Sequence, residues 1–122
     1  MVNLLFFIAT ATASDVYELC MIKNQLWSER QQKFKTLNTA TFYSYEPVQM
    51  IIHERFVEIN RDKRYIKETY VKDGLSCWRE HENSFFCYDD SNNRFLWEFY
   101  KRNGDVTRDV MYPCLKNGEP ID

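Results

Sequence analysis

Glycine, proline and histidine are scarce in this chain of 122 residues, which contains three glycines, three prolines and two histidines. Three isolated glycines cannot form a glycine-rich phosphate loop, so no nucleotide site of that kind is expected. The four cysteines include no Cys-x-x-Cys pair, the close spacing that structural zinc sites usually use. No Asn-x-Ser/Thr sequon occurs, so we expect no N-linked glycan.

Charge is nearly balanced, with 16 basic and 18 acidic side chains and a net charge of −2. Domains that bind nucleic acid normally carry a clear basic excess, so no nucleic-acid partner is expected. After Ile8, no apolar stretch approaches the ~20 residues that a membrane-spanning helix requires. We therefore expect no membrane span.

The first thirteen residues have the pattern of a secretory signal. Leu4 to Ile8 form a short apolar core, and Ala11-Thr12-Ala13 supplies the small-x-small pattern that precedes cleavage. The sequence predicts a signal peptide over residues 1–13 and one secreted domain over residues 14–122. The alternative is that the segment forms the first buried strand of the domain.

Four cysteines in a secreted chain indicate two disulfides, for which three pairings exist. Spacing favours Cys77 with Cys87 as a local clasp and Cys20 with Cys114 as a long link between the two ends of the domain. No metal and no cofactor is expected.

Residues from Ser14 to about Asn38 have near-helical spacing of apolar side chains, and Asp15 and Glu18 stand at capping-box spacing. This pattern predicts an N-terminal helix with one partly exposed face.

Residues 41–88 have the alternation and turn residues of an antiparallel meander of four or five strands. Asp73-Gly74 is the strongest two-residue turn signal in the chain. The predicted strands are Thr41 to Tyr45, Val48 to Ile59, Arg64 to Val71, Leu75 to Glu82 and Ser84 to Tyr88.

Residues 91–104 fit either a helix or a strand, and we favour a short helix before a last strand from Asp105 to Tyr112. The fold class is therefore α+β. An N-terminal helix packs on a curved antiparallel sheet, which rolls into a partial or closed small barrel.

Catalytic signals are weak, and we expect the protein not to be an enzyme. His81, between Glu80 and Glu82, is the best acid–base candidate, but an exposed histidine near a hairpin tip explains it as well. His53 would be a core histidine if it points inward. Basic residues between Arg61 and Lys72 are diluted by acidic neighbours, so the wet face of a hairpin explains them better than an anion site.

Aromatic side chains make up 16% of the chain. They could simply fill the core of a small β-rich domain, or they could line a cavity on the inner side of a rolled sheet. In the second case they offer apolar walls with polar tips, which suit a small apolar or amine-bearing ligand. The candidate ligand-binding residues are Tyr43, Tyr45, Phe56, Tyr65, Tyr70, Trp78, Phe86 and Trp97, with Glu58 as a counter-charge.

The C-terminal part of the chain resembles secreted lipocalins of the arthropod salivary type. The similarity lies in Phe99, Gly104, Thr107-Arg108-Asp109-Val110 and Cys114-Leu115. The first strand lacks a Gly-x-Trp motif, so no pocket residue is carried over from the family. The resemblance implies an extracellular carrier of an amine or a lipid.

Cystatin-like inhibitors provide a second comparison, because they wrap an antiparallel sheet around one helix and have two disulfides. Gln49 to His53 lacks the glycine of their inhibitory turn. The expected function is non-enzymatic binding of a small ligand in an extracellular protein. The alternative is a protein-binding effector or protease inhibitor that acts through the loops at Asp73-Gly74 and Glu80 to Asn83.

Overall fold

The computed structural model describes residues 14–42, 46, 48–81 and 83–121, and at positions 68, 70, 80 and 81 it describes the backbone alone. The predicted signal peptide therefore lies outside the described residues. The strands are β1 (Asp15–Ser28), β2 (Lys33–Thr41), β3 (Val48–Ile52), β4 (Phe56–Ile59), β5 (Asp62–Tyr65), β6 (Glu68–Lys72), β7 (Leu75–His81), β8 (Ser84–Asp89), β9 (Arg94–Tyr100), β10 (Val106–Lys116) and β11 (Glu119–Pro120).

All strand pairs are antiparallel, and the order across the sheet is β5-β4-β3-β1-β10-β9-β8-β7-β6. β2 pairs with the second half of β1, and β11 pairs with the end of β10. The expected α+β class is therefore wrong. The one helical element in the described part of the chain is a single 3-10 turn, Asp90–Asn92.

The two ends of the sheet meet at Ile66 and Lys67, the only residues between β5 and β6. Ile66 donates its N–H to the carbonyl of Arg55 at 2.8 Å, and Lys67 donates to the carbonyl of Arg79 at 2.9 Å. This link holds both ends of the sheet, while the outer edges of β5 and β6 have no strand partner among the described residues. The sheet is thus a curled half-barrel.

The residues predicted to form an N-terminal helix instead form a hairpin of β1 and β2, in which Trp27 lies directly opposite Phe34. Tyr17 and Leu19 are buried with strand periodicity, and Ile22 joins the same cluster. The spacing changes from two to three because the register of β1 against β10 skips Cys20. A bulge adds one residue in this way, so a bulged strand imitates helical spacing.

Three further elements differ from the prediction. The predicted strand from Arg64 to Val71 divides into β5 and β6, which lie at opposite ends of the sheet. The middle of residues 91–104 forms β9 rather than a helix, because the alternation of Phe95, Trp97 and Phe99 places these rings on one face. The predicted single strand from Val48 to Ile59 divides into β3 and β4. The predicted turn at Asp73-Gly74 is confirmed, with positive φ angles of 53° and 79° at the two residues.

Apolar side chains form one cluster on each face of the sheet. The larger cluster, on the concave side, has as its fully buried members Tyr17, Leu19, Met50, Val57, Phe86, Phe95, Trp97 and Met111. The smaller one, on the convex side, contains Cys77, Cys87, Leu96 and Val110. Strand β9 contributes to both because its successive side chains alternate between the faces.

Two disulfides are present, and they join the pairs that the sequence favours. Cys77 and Cys87 are direct partners across β7 and β8, with Cα atoms 4.0 Å apart. Cys20 and Cys114 have Cα atoms 5.7 Å apart and occupy the two irregularities in the register of β1 and β10. Pro113, which cannot donate to the ladder, lies beside them, so the disulfide crosses the sheet where its pairing is interrupted.

Candidate functional site

Rings fill the middle of the concave side. Phe86 and Phe95 are stacked with centroids 5.5 Å apart, and Trp97 meets Phe86 edge-on at 5.0 Å. These three side chains are at most 6% exposed. Trp97 also donates from Nε1 to Oγ of buried Ser84 at 2.9 Å, which fixes the plane of the indole. The centre of the curl is therefore packed core.

A pocket of about 230 Å³ opens at one end of this core. Its apolar walls are formed by Ile22, Ile59, Trp97, Phe99 and Met111, and its charged lining by Asp62, Arg64 and Asp109. We call it the concave pocket. Trp97 and Phe99 lie parallel there, with an interplanar angle of 2° and centroids 6.1 Å apart.

Asp109 is the half-buried carboxylate of the concave pocket. Its Oδ1 accepts a hydrogen bond from Nδ2 of Asn24 at 2.6 Å, and Asn38 donates in turn to Oδ1 of Asn24 at 3.3 Å. A carboxylate that already accepts from one side is fixed in orientation and retains acceptor capacity for a ligand. This geometry suits a bound ammonium group.

Asp62 and Arg64 form the outer rim of the concave pocket. Nε of Arg64 lies 3.1 Å from Oδ2 of Asp62, and these side chains are 48% and 66% exposed, respectively. An ion pair so exposed contributes little to stability, since water screens it. Together with Asp109, the pair gives the pocket two carboxylates and one guanidinium, so its charge favours cations.

The predicted ligand-binding residues do not all come together. Phe86 and Trp97 belong to the concave core, and Trp78 packs against it, but of these only Trp97 lines the concave pocket. Tyr43 and Tyr45 lie outside the described residues, and for Tyr70 the structure gives only a backbone position in β6.

Phe56, Glu58 and Tyr65 lie on the opposite face. Phe56 and Tyr65 are cross-strand partners with ring centroids 6.2 Å apart, and Tyr65 is 63% exposed. Glu58 lines a separate shallow recess with Gln49 and Arg61. These residues alternate with Val57 and Ile59, which point into the concave core.

The sequence does not predict Asp109, Asp62 and Arg64 as pocket residues, because charged residues on strands usually face water. The alternation of Thr107, Asp109 and Met111 along β10 contains the relevant signal, since Met111 is a core residue and Asp109 shares its face. The pocket on that face also requires Ile22 of β1, a segment that the sequence predicts to be helical.

His53 stacks on Phe56 with centroids 4.6 Å apart, so it is not the core histidine considered from the sequence. Within the described ranges, no group of three or more His, Cys, Asp or Glu side chains is placed to hold a metal ion. Over the same residues, no helix is long and apolar enough to cross a membrane. No family model, curated protein or solved structure matches the chain.

Proposed function

We propose that the chain is a small binding protein that holds a compact amine in the concave pocket. The pocket volume of about 230 Å³ lies below the ~300–1,000 Å³ of sites for drug-sized ligands. It therefore suits a molecule with one ring better than a long acyl chain. The observation that supports the amine is the position of Asp109, a half-buried carboxylate beside the parallel rings of Trp97 and Phe99.

The order of the strands is compatible with this proposal. Apart from β2, the strands follow one another around the curl in chain order, and β10 returns to β1. Lipocalins have such an up-and-down arrangement, and several of these proteins hold one small ligand inside the sheet. We therefore keep the lipocalin-like carrier as part of the proposal.

Phenethylamine and 3-phenylpropionate test the proposal directly, because they have similar bodies and opposite charges. The chain has three tryptophans, so an indole N–H spectrum provides one signal from Trp97 in the pocket wall. We expect phenethylamine to shift the Trp97 signal saturably and 3-phenylpropionate to leave it unchanged. Equal responses to both compounds, or none to either, would overturn the proposal.

The matched variants are Asp109→Asn and Asp105→Asn. The first removes the carboxylate of the pocket, and the second removes an exposed carboxylate at the β9–β10 turn. A hydrogen bond to a charged group contributes about 1.5–3 kcal/mol, so Asp109→Asn should weaken phenethylamine binding at least about tenfold. Asp105→Asn should not change it.

We also propose that the protein works outside the cell. Two disulfides support this, because such bonds persist in oxidising compartments. The test is intact mass and non-reducing peptide mapping of protein from a eukaryotic host. Recovery from the medium with both bonds formed is expected, whereas retention in cells with four free thiols would refute the proposal.

A further inference from the structure

A second pocket lies on the convex side, between the end of the β1–β2 hairpin and the β6–β7 turn. It has a volume of about 300 Å³ and shares no lining residue with the concave pocket. Its walls include the rings of Trp27, Phe34 and Tyr100, and its charged lining is formed by Glu29, Lys72, Asp73 and Glu98. We call it the convex groove.

The aromatic wall on the hairpin is organised by its own contacts. Trp27 and Phe34 meet edge-to-face with centroids 5.1 Å apart, as cross-strand partners on β1 and β2. The guanidinium carbon of Arg108 lies 3.9 Å from the centroid of Phe34. One face of Phe34 is therefore already occupied by a cation of the protein, and Nζ of Lys72 lies 5.1 Å from the ring centroid of Tyr100. Among the described residues, no cation lies on Trp27, so this ring is the one that the wall offers to a positively charged ligand.

The charges at the floor of the groove cancel. Nζ of Lys72 lies 2.6 Å from Oε2 of Glu98 and 2.6 Å from the hydroxyl of Tyr100, which itself donates to Glu98 at 3.0 Å. Glu98 is only 8% exposed. Because the ammonium and the carboxylate neutralise each other, neither leaves a net charge for a ligand.

The remaining charged residues that line the groove are acidic, and the guanidinium of Arg108 lies beside them on the aromatic wall. Glu29 and Asp73 are exposed carboxylates, one on each of the two turns that flank the opening. The ring of Trp27 beside two exposed carboxylates is the kind of chemical environment that recognises quaternary ammonium groups. An anion would meet repulsion at the rim and a neutralised lysine at the floor.

We propose that the convex groove binds a small organic cation with an alkylated ammonium group. This site is separate from the concave pocket, and the two can be occupied independently. The compounds that test the proposal are choline and its neutral isostere 3,3-dimethylbutan-1-ol, which has the same shape without the charge.

The experiment is an indole N–H titration of the whole protein with each compound. Trp27 reports on the convex groove, Trp97 reports on the concave pocket, and Trp78 lines neither of them. We expect choline to shift the Trp27 signal saturably while the neutral isostere does not. A missing choline response, or equal responses to both compounds, would overturn the proposal.

Two variants test the walls and the rim separately. Trp27→Leu should weaken choline binding about tenfold, as measured by calorimetric titration. The double variant Glu29→Gln/Asp73→Asn should weaken it about fivefold without disturbing the fold, because Asn-Gly also forms the turn that Asp-Gly forms. Choline affinity that is unchanged in both variants would contradict the site.

The two proposed sites can fail independently. Both convex variants should leave the response of Trp97 to phenethylamine intact, and Asp109→Asn should leave the response of Trp27 to choline intact. Loss of the Trp97 response in a convex variant, or of the Trp27 response in Asp109→Asn, is attributed to unfolding when the dispersion of the amide spectrum is also lost. A sound spectrum in which choline shifts only Trp97 would assign the cation to the concave pocket and refute the convex site.

Discussion

Asn24 donates a hydrogen bond from Nδ2 to Oδ1 of Asp109 at 2.6 Å, and the two residues are direct partners across β1 and β10. Asn38 on β2 donates to Asn24, so one chain of side chains crosses three strands. On the opposite face, Arg108 donates to Gln25 at 2.7 Å, and Gln25 in turn donates a hydrogen bond to β2. The concave chain ends on a carboxylate at the pocket, and the convex chain does not.

Asn24 is therefore a positioning residue for the proposed amine site. Asn24→Leu removes the donor that orients Asp109, and we expect phenethylamine to bind about five- to tenfold more weakly, the effect of roughly 1–1.5 kcal/mol. The preference for phenethylamine over 3-phenylpropionate should fall with it. Both quantities come from calorimetric titration.

Gln25→Leu is the matched control for Asn24→Leu. It makes a similar change one residue further along β1 and breaks the chain on the convex face. The free energy of unfolding in urea should fall by comparable amounts in both variants, but Gln25→Leu should retain the amine affinity. If the two variants lose affinity equally, Asn24 acts only through the fold.

Lys72 should stabilise the fold through its ion pair with Glu98. Lys72→Met leaves a carboxylate that is largely buried without its cation, so the free energy of unfolding should fall by about 2–3 kcal/mol in urea titrations. Lys72→Met/Glu98→Leu should recover most of this loss, because apolar replacement of a buried pair is often neutral. Tyr100→Phe retains the pair and should cost only about 1 kcal/mol.

The alkaline side of the stability profile tests the same pair. Burial lowers the pKa of Lys72, but the hydrogen bonds with Glu98 and Tyr100 outweigh burial and raise it above the ordinary value. A raised folded-state pKa means that the contribution is complete below about pH 10.4 and decreases as the pH rises through the folded value. Lys72→Met should remove this part of the alkaline loss, measured as the midpoint of unfolding against pH.

The two hairpins formed by β6, β7 and β8 were accessible to sequence reasoning because the turn signals and strand alternation are local. Asp73-Gly74 requires positive φ at both positions, and few residue pairs adopt that turn so readily. The disulfide of Cys77 and Cys87 followed from the next hairpin, formed by β7 and β8. These features depend on residues close together in the chain, which a sequence displays directly.

The first strand could not be predicted in this way. Part of the near-helical spacing of its apolar positions arises because Cys20 bulges out of the register beside Pro113, a residue that lies far along the chain. The candidate site could not be predicted for a similar reason. Local alternation along β10 places Asp109 on the face of Met111, but the pocket also requires Ile22 of β1 and Ile59 of β4, which lie far away in the chain.

Asp89 should make the fold sensitive to acid. Its carboxylate accepts hydrogen bonds from Ser91 at 3.1 Å, Asn92 at 2.8 Å and Arg94 at 2.9 Å. Burial raises the pKa of Asp89, but these donors outweigh burial and hold the pKa below its ordinary value. Stability from Asp89 is therefore complete above about pH 3.9 and is lost as the pH falls through the folded-state pKa.

Asp89→Asn is the variant that tests this role. It should cost about 2–3 kcal/mol at neutral pH, because a charged acceptor of three donors becomes a neutral amide. It should also flatten the loss of stability below pH 4, followed by circular dichroism. Asp105→Asn removes a carboxylate of the same kind from an exposed turn, and an equal effect there would refute the assignment.

The two disulfides should stabilise the domain unequally, because they close loops of very different length. Cys20 and Cys114 are 94 residues apart, and Cys77 and Cys87 are 10 apart. In the chain-entropy description, these loops correspond to about 4.7 and about 2.8 kcal/mol. Because the unfolded chain gains more entropy when the longer loop opens, this effect should lower the free energy of unfolding about 2 kcal/mol more in Cys20→Ala/Cys114→Ala than in Cys77→Ala/Cys87→Ala.

The slope of urea unfolding separates this effect from packing. Cys77 and Cys87 are almost completely buried, so their replacement by alanine also leaves space in the convex cluster and lowers stability by a second route. Loss of packing does not expand the unfolded chain, whereas opening the long loop does. The m-value should therefore rise more for Cys20→Ala/Cys114→Ala, since m follows the surface exposed on unfolding. Equal m-values in the two variants would show that the long disulfide acts on the folded sheet instead, at the bulges that it spans.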